Sequence, residues 1–262
     1  MDLPIYQIDA FTDHIFSGNP ACVVVLEEWL PVQTMLSIAQ ENAVAETAFL
    51  IKEKDQYLLK WFTPEIEMDL CGHATLATAH CIKRHLNHSD DQIIFHTKSG
   101  VLVVNCDKNL YHMDFPSREA QPSTLPEIIS QAINIQPLQV LKSRDFLLVY
   151  DYEETIRKIE INRSIFDQIN LDPGGVIVTA PGIDCDFVSR FFTPQASILE
   201  DPVTGSAHCT LSPYWSDRLN KTNLMAHQLS SRGGHIYCEQ KEDRVIISGK
   251  AITFSQGTLN VD

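Results

Sequence analysis

The chain predicts an α+β fold of two similar halves, each a mostly antiparallel sheet around a central helix, on three observations. First, Phe62-Thr63-Pro64 recurs as Phe192-Thr193-Pro194, and Gly72-His73-Ala74 is echoed by Gly205-Ser206-Ala207. The offsets, 193 − 63 = 130 and 205 − 72 = 133, each lie near half of 262, as two copies of one unit require. Second, Ile93 to Phe95, Val101 to Val104 and Leu110 to Phe115 are short apolar runs separated by Lys98-Ser99-Gly100 and Asp107-Lys108-Asn109, the pattern of an antiparallel meander. Third, Gly72 to His85 places Ala74, Leu76, Ala77, Ala79, Cys81 and Ile82 around most of a helix circumference. Such a helix is enclosed on several sides, as if a sheet wraps it.

The remaining elements follow in order. Val32, Met35, Leu36 and Ala39 fall at i, i+3, i+4 and i+7 and predict an amphipathic helix opened by Pro31. Tyr57 to Phe62 is rich in strand formers. The polar stretch 116–123, with Pro116 and Pro122, reads as a linker between an N-terminal half at 1–115 and a C-terminal half at 124–262. In the second half a helix begins near Pro126, and strands are expected at Phe146 to Tyr150, Val176 to Thr179, Phe187 to Phe192 and Val245 to Ser248.

Composition narrows the function. Forty-four per cent hydrophobic residues suffice for a sizeable core. A net charge of −14 repels polyanions, so neither nucleic acid nor an anionic membrane is an expected partner. An acidic substrate must then be held by local donors. The N-terminus has no basic region followed by an apolar stretch, and the seven cysteines, an odd count without a Cys-x-x-Cys pair, suit reduced thiols; a soluble, cytoplasmic protein is expected.

Three segments could carry chemistry. In Cys71-Gly72-His73-Ala74-Thr75, glycine admits close backbone approach, and the following amides fall in a first helical turn where they lack intrahelical partners. Alone, this is equally a turn followed by a capping histidine; its echo at Gly205-Ser206 favours ligand binding. Glu200-Asp201-Pro202-Val203-Thr204-Gly205-Ser206-Ala207-His208 puts two carboxylates before the second helix start. In isolation these are acids at the positive end of a helix dipole. Ser206 and His208 lack the Gly-x-Ser-x-Gly elbow of a hydrolase. Glu46 stands in the small, apolar run Asn42 to Leu50, where desolvation suits a carboxylate to proton transfer near neutral pH; read alone, it is an ordinary strand-edge or helix-edge glutamate. No metal is expected: His73 and His80 lie two helical turns apart, about 10 Å of rise, too far for one ion. Neither a Gly-x-Gly-x-x-Gly nor a P-loop occurs, so no nucleotide cofactor is expected.

Together, Asp9-Ala10-Phe11-Thr12, Gly18-Asn19-Pro20-Ala21, Ala45-Glu46-Thr47-Ala48-Phe49, Cys71-Gly72-His73-Ala74-Thr75, Glu200 to Ala207 and Ser231-Arg232-Gly233-Gly234 resemble the PhzF-like phenazine-biosynthesis family in its motif order. The resemblance implies a diaminopimelate-epimerase-like fold, with the active site between two similar domains and a last strand free to return to the first. It implies a cofactor-independent isomerisation of the trans-2,3-dihydro-3-hydroxyanthranilate type, with Glu46 as general acid/base and His73 and Asp201 assisting. Gly72, His73, Gly205 and Ser206 are implied to bind a small carboxylate substrate, and the protein to be a homodimer. The related epimerases use two cysteines. Cys71 matches one of them, but its duplicate position is Thr204, which disfavours two-thiol racemisation. A Cys71-dependent racemase and a non-catalytic carboxylate-binding protein remain the alternatives.

Overall fold

Apolar residues at every second position make sheets of both halves. In the computed structural model, which describes residues 1–171 and 174–261, Tyr57, Leu59 and Trp61 alternate inward along one strand, and Tyr111, Met113 and Phe115 along another. Two compact units result. One comprises Met1–Asp114 with the chain from Ser248 onward, the other Phe115–Ile247.

In the first unit the elements run β1 (Asp2–Ala10), β2 (Asn19–Leu26), α1 (Val32–Asn42), β3 (Glu46–Glu53), β4 (Gln56–Phe62), β5 (Glu67–Met68), α2 (Gly72–His85), β6 (Gln92–Thr97), β7 (Gly100–Asp107) and β8 (Leu110–Pro116). The chain passes into the second unit within β8. There it forms β9 (Gln121–Pro122), α3 (Glu127–Ala132), β10 (Gln139–Lys142), β11 (Phe146–Val149), α4 (Glu153–Lys158), α5 (Arg163–Phe166), β12 (Val176–Pro181), β13 (Phe187–Phe192) and β14 (Glu200–Asp201). A 3-10 turn (Gly205–Ala207) then leads into α6 (His208–Leu219), β15 (Asn223–Gln228), β16 (Gly234–Lys241) and β17 (Arg244–Gly249), and β18 (Ala251–Asn260) rejoins the first unit beside β1.

The repeat is exact at the level of strand pairing. In the first unit β1/β2 is antiparallel, β2/β3 parallel, β3/β4 antiparallel, β4/β6 parallel and β6/β7 antiparallel. In the second, β10/β11, β11/β12, β12/β13, β13/β15 and β15/β16 follow the same sequence of senses. Even the short hairpins after the Phe-Thr-Pro motifs agree. Phe62 pairs with Glu67 as Phe192 pairs with Glu200, and the Thr63 and Thr193 amides donate to Ile66 and Leu199 carbonyls, both at 2.9 Å. The fold is α+β of the diaminopimelate-epimerase-like type anticipated above.

Each unit has its helix in the core. α2 is buried continuously from His73 to Ile82, as its small side chains allow. Thr75 and Thr78 return their hydroxyls to the Cys71 and Ala74 carbonyls, at 2.6 and 2.7 Å, so these polar groups cost nothing in burial. His80 is likewise satisfied, by Tyr111 Oη and Thr253 Oγ1, both at 3.1 Å, and burial pushes its pKa down to about 4, which makes it a neutral core residue. In the second unit Trp215 of α6 stacks on Phe187, 5.6 Å between centroids, and donates its indole N–H to Thr179. The stretch 116–123 includes β9, and the Ser117 and Arg118 amides bond to the Asp243 and Cys209 carbonyls. Among the described residues no helix is long and apolar enough to cross a membrane.

Candidate active site

Backbone geometry places Glu46. The turn from β1 to β2 closes through Gly18, at φ +70°, where a Cβ would meet the Ala10 carbonyl oxygen at 2.2 Å; only glycine fits. This turn sets the start of β2, and Ala21 of β2 lies beside Glu46 at the first position of β3. Glu46 therefore stands at a strand end, not in the middle of an apolar sheet. Its side chain is 15% exposed and reachable.

Opposite it, α2 begins. Cys71 is the N-cap residue, with no side-chain capping bond, and His73 lies inside the first turn, so the capping role open to His73 in the sequence is not the one it takes. Glu46 Oε2 and His73 Nε2 are 2.9 Å apart, an ion-pair contact outside the directional limits of a hydrogen bond. On the other side of the ring, His73 Nδ1 is 3.6 Å from Cys71 Sγ. Burial works against the His73 imidazolium, Cys71 and Glu46 work for it, and its pKa stands well above 6.5. Burial, then the Glu46 carboxylate, raises the Cys71 thiol's pKa, against the pull of His73. A thiol so raised is neutral near pH 7, so the charge that holds the imidazolium is the Glu46 carboxylate.

Glu46, Cys71 and His73 are also the residues that could hold a metal, with ligand atoms within 4.8 Å of one another. Only His73 of this trio belongs to the His73/His80 pair whose spacing rules out a shared ion. In this arrangement, however, Nε2 faces the carboxylate and Nδ1 faces the sulfur. A single ion takes one ring nitrogen with the other ligands on that nitrogen's side, so the trio is disposed as a relay through the imidazole, not as a chelate.

In the second unit, Asp201 lies on β14 and Thr204 takes the N-cap position that Cys71 holds in the first. Thr204 Oγ1 donates to Asp201 Oδ2 at 2.5 Å. Gln228, buried on β15, locks this loop: its side-chain oxygen accepts the Thr204 amide at 2.8 Å and its Nε2 donates to the Asp201 carbonyl at 2.7 Å. Gly205 and Ser206 open the 3-10 turn before α6, not the α-helix itself. His208 Nδ1 donates to the Thr204 carbonyl at 2.9 Å, and burial pushes its pKa down to about 4, leaving it a structural group. Sequence reasoning missed Gln228, Arg144 and Asp145. Arg144 Nη2 reaches Ser206 Oγ at 3.4 Å and its Nε reaches Asp145 Oδ1 at 3.3 Å.

An imidazolium–carboxylate pair thus stands at the start of α2. The model of the phenazine biosynthesis-like protein family, PhzC-PhzF, matches residues 8–257, and the chain belongs to that family. It is 44% identical to an uncharacterized isomerase of Pseudomonas aeruginosa, over all of both chains. The crystal structure of a PhzF-family phenazine biosynthesis protein from Enterococcus faecalis superposes with a TM-score of 0.95 at 45% identity, covering all of both chains. A probable proline racemase from Agrobacterium radiobacter shares the fold alone, with a TM-score of 0.65 at 8% identity over 99% of this chain and 93% of the other. The protein is an enzyme of the isomerase class.

Proposed function

We propose that the protein is a cofactor-independent isomerase that moves a proton between carbons of a small carboxylate substrate, in the manner of trans-2,3-dihydro-3-hydroxyanthranilate isomerase. The observation that carries this reading is the 2.9 Å contact between the Glu46 carboxylate and the His73 imidazolium. Glu46 takes a proton from one carbon and returns it at another. His73, held cationic, faces the carboxylate and stabilises negative charge on the intermediate. Asp201, held by Thr204, is the second acidic group in proton handling, and Gly72, Gly205 and Ser206 bind the substrate's polar groups. A general acid/base of this kind contributes on the order of 10²–10⁴-fold.

The pairing pattern also bears on the racemase alternative. A two-base racemase needs an acceptor on each face of the carbon, and the residue equivalent to Cys71 is a threonine whose hydroxyl is spent on Asp201. Cys71 itself is a buried, protonated thiol. Proton NMR of a pool of small carboxylates and amino acids in heavy water tests the proposal: isomerisation or carbon-bound exchange is expected with the wild type and not with Glu46→Gln. Exchange undiminished in Glu46→Gln would refute it, and saturable binding without exchange of any ligand would favour a binding protein.

A further inference from the structure

The duplication allows the two halves to be compared position by position. Thr47 pairs with Phe62 as Val176 pairs with Phe192, so the residue preceding each, Glu46 and Gly175, are equivalent; the Gly72/Gly205 offset makes His73 equivalent to Ser206. The acid and the imidazole of the first half are thus both missing from the second. Glycine at 175 is required by packing, since a Cβ there would meet Phe191 Cζ at 2.5 Å and the Phe192 carbonyl oxygen at 2.7 Å.

A different charged group occupies the second half. Asp145, the last residue before β11, sends Oδ1 to the Gly175 amide at 2.9 Å and is fully buried. The same oxygen receives Arg144 Nε, which fixes the plane of the guanidinium, and Arg144 Nη2 reaches Ser206. Burial raises the Asp145 carboxyl against the pull of Arg144, the Gly175 amide and Arg118. Arg118 is thus a second guanidinium within electrostatic reach of this single carboxylate, and its Nη1 is buried without a hydrogen-bond partner among the described residues. Two guanidiniums thus act on the Asp145 carboxylate, and of these Arg144 is the one that reaches Ser206. The Arg144 side chain is 32% exposed, so a ligand can reach it.

We infer that Arg144, oriented by Asp145, is the specificity-determining cation that reads the substrate's carboxylate at Ser206. The inference rests on the proposed function and adds a residue to it. With Nε committed to Asp145, the guanidinium presents its Nη edge, and the Ser206 hydroxyl, accepting from Nη2, is left with its own proton to donate. A planar carboxylate matches that set of donors; a neutral amide of the same shape does not.

The test is calorimetric titration of the full chain with 2-aminobenzoate and 2-aminobenzamide, which differ only in the carboxylate. Wild type is expected to prefer the acid by about tenfold or more, and Arg144→Gln, melting as wild type does, to bring the two ligands within about twofold. Arg144→Lys keeps the charge and loses the fork, so its preference falls at least about threefold; it decides the matter if Arg144→Gln does not fold. An unchanged preference in either folded variant overturns the inference, as does a wild type that binds neither ligand at millimolar concentration. Glu46→Gln separates the two claims: it should keep the carboxylate preference while losing carbon–proton exchange. Preference without exchange in wild type would sink the proposed function and leave the role of Arg144 standing.

Discussion

Replacing Glu46 by Gln removes one charge from a buried pair and should be read first in the titration of His73. At 2.9 Å the attraction is about 332/(20 × 2.9), near 6 kcal/mol, with an effective dielectric of about 20, and about 1.4 kcal/mol with that of water. In wild type burial lowers the His73 pKa, but Cys71 and Glu46 together outweigh it and hold the pKa well above 6.5. In Glu46→Gln only burial and a neutral thiol act on the ring, so its pKa should fall below 6.5. The assay is two-dimensional NMR of the histidine ring signals from pH 5 to 9, with His73→Asn to assign them. The linkage sign is definite. A raised folded pKa gives stability that is fully present below the unfolded value near 6.5 and is lost as pH rises through the folded value, so the difference in Tm between wild type and Glu46→Gln should narrow as pH rises across that window. A His73 titration that is the same in both proteins would refute the electrostatic account of the site.

Cys71→Ser should leave turnover within a few-fold of wild type, because the thiol is protonated and lies behind the imidazole; a loss of the 10²–10⁴-fold size expected for a general base would point to a thiolate mechanism. Gln228→Ala leaves the buried Thr204 amide without its acceptor and should lower unfolding free energy by about 1–3 kcal/mol, measured by urea denaturation. An unchanged midpoint would mean that the loop does not depend on that bond. Gly175→Ala forces a methyl against Phe191 and the Phe192 carbonyl and should cost about 1–3 kcal/mol; thermal unfolding at or above the wild-type Tm would contradict the packing argument.

How far these features could be read in the sequence depends on how local their causes are. α2 was legible because its small side chains encircle the helix, and the meander because Lys98-Ser99-Gly100 and Asp107-Lys108-Asn109 carry turn chemistry in place. The repeat was legible from two short motifs, and pairing register extends it over both sheets. The 3-10 start at Gly205 was not, since a Gly-Ser-Ala step opens either helix type equally well. Pairing of Glu46 with His73 joins residues on different elements, and only the family motif linked them beforehand. Arg144, Asp145 and Gln228 carry no local signature at all. Their roles come from contacts with Ser206, Gly175 and Thr204, distant in the chain. One signal was present: where two copies agree in framework, positions that differ in chemistry, such as Met68 against Asp201 or His73 against Ser206, mark the residues that specialise the halves.

The central claim is that Glu46, paired with His73, carries the proton. It is tested most directly by the rate of carbon–proton exchange in heavy water, measured side by side at pH 7 for wild type, Glu46→Gln and Cys71→Ala on one substrate. The account predicts exchange in wild type, a rate within a few-fold of it in Cys71→Ala, and a loss of at least about a hundredfold in Glu46→Gln with ligand affinity retained. Exchange that survives in Glu46→Gln and disappears in Cys71→Ala would contradict it.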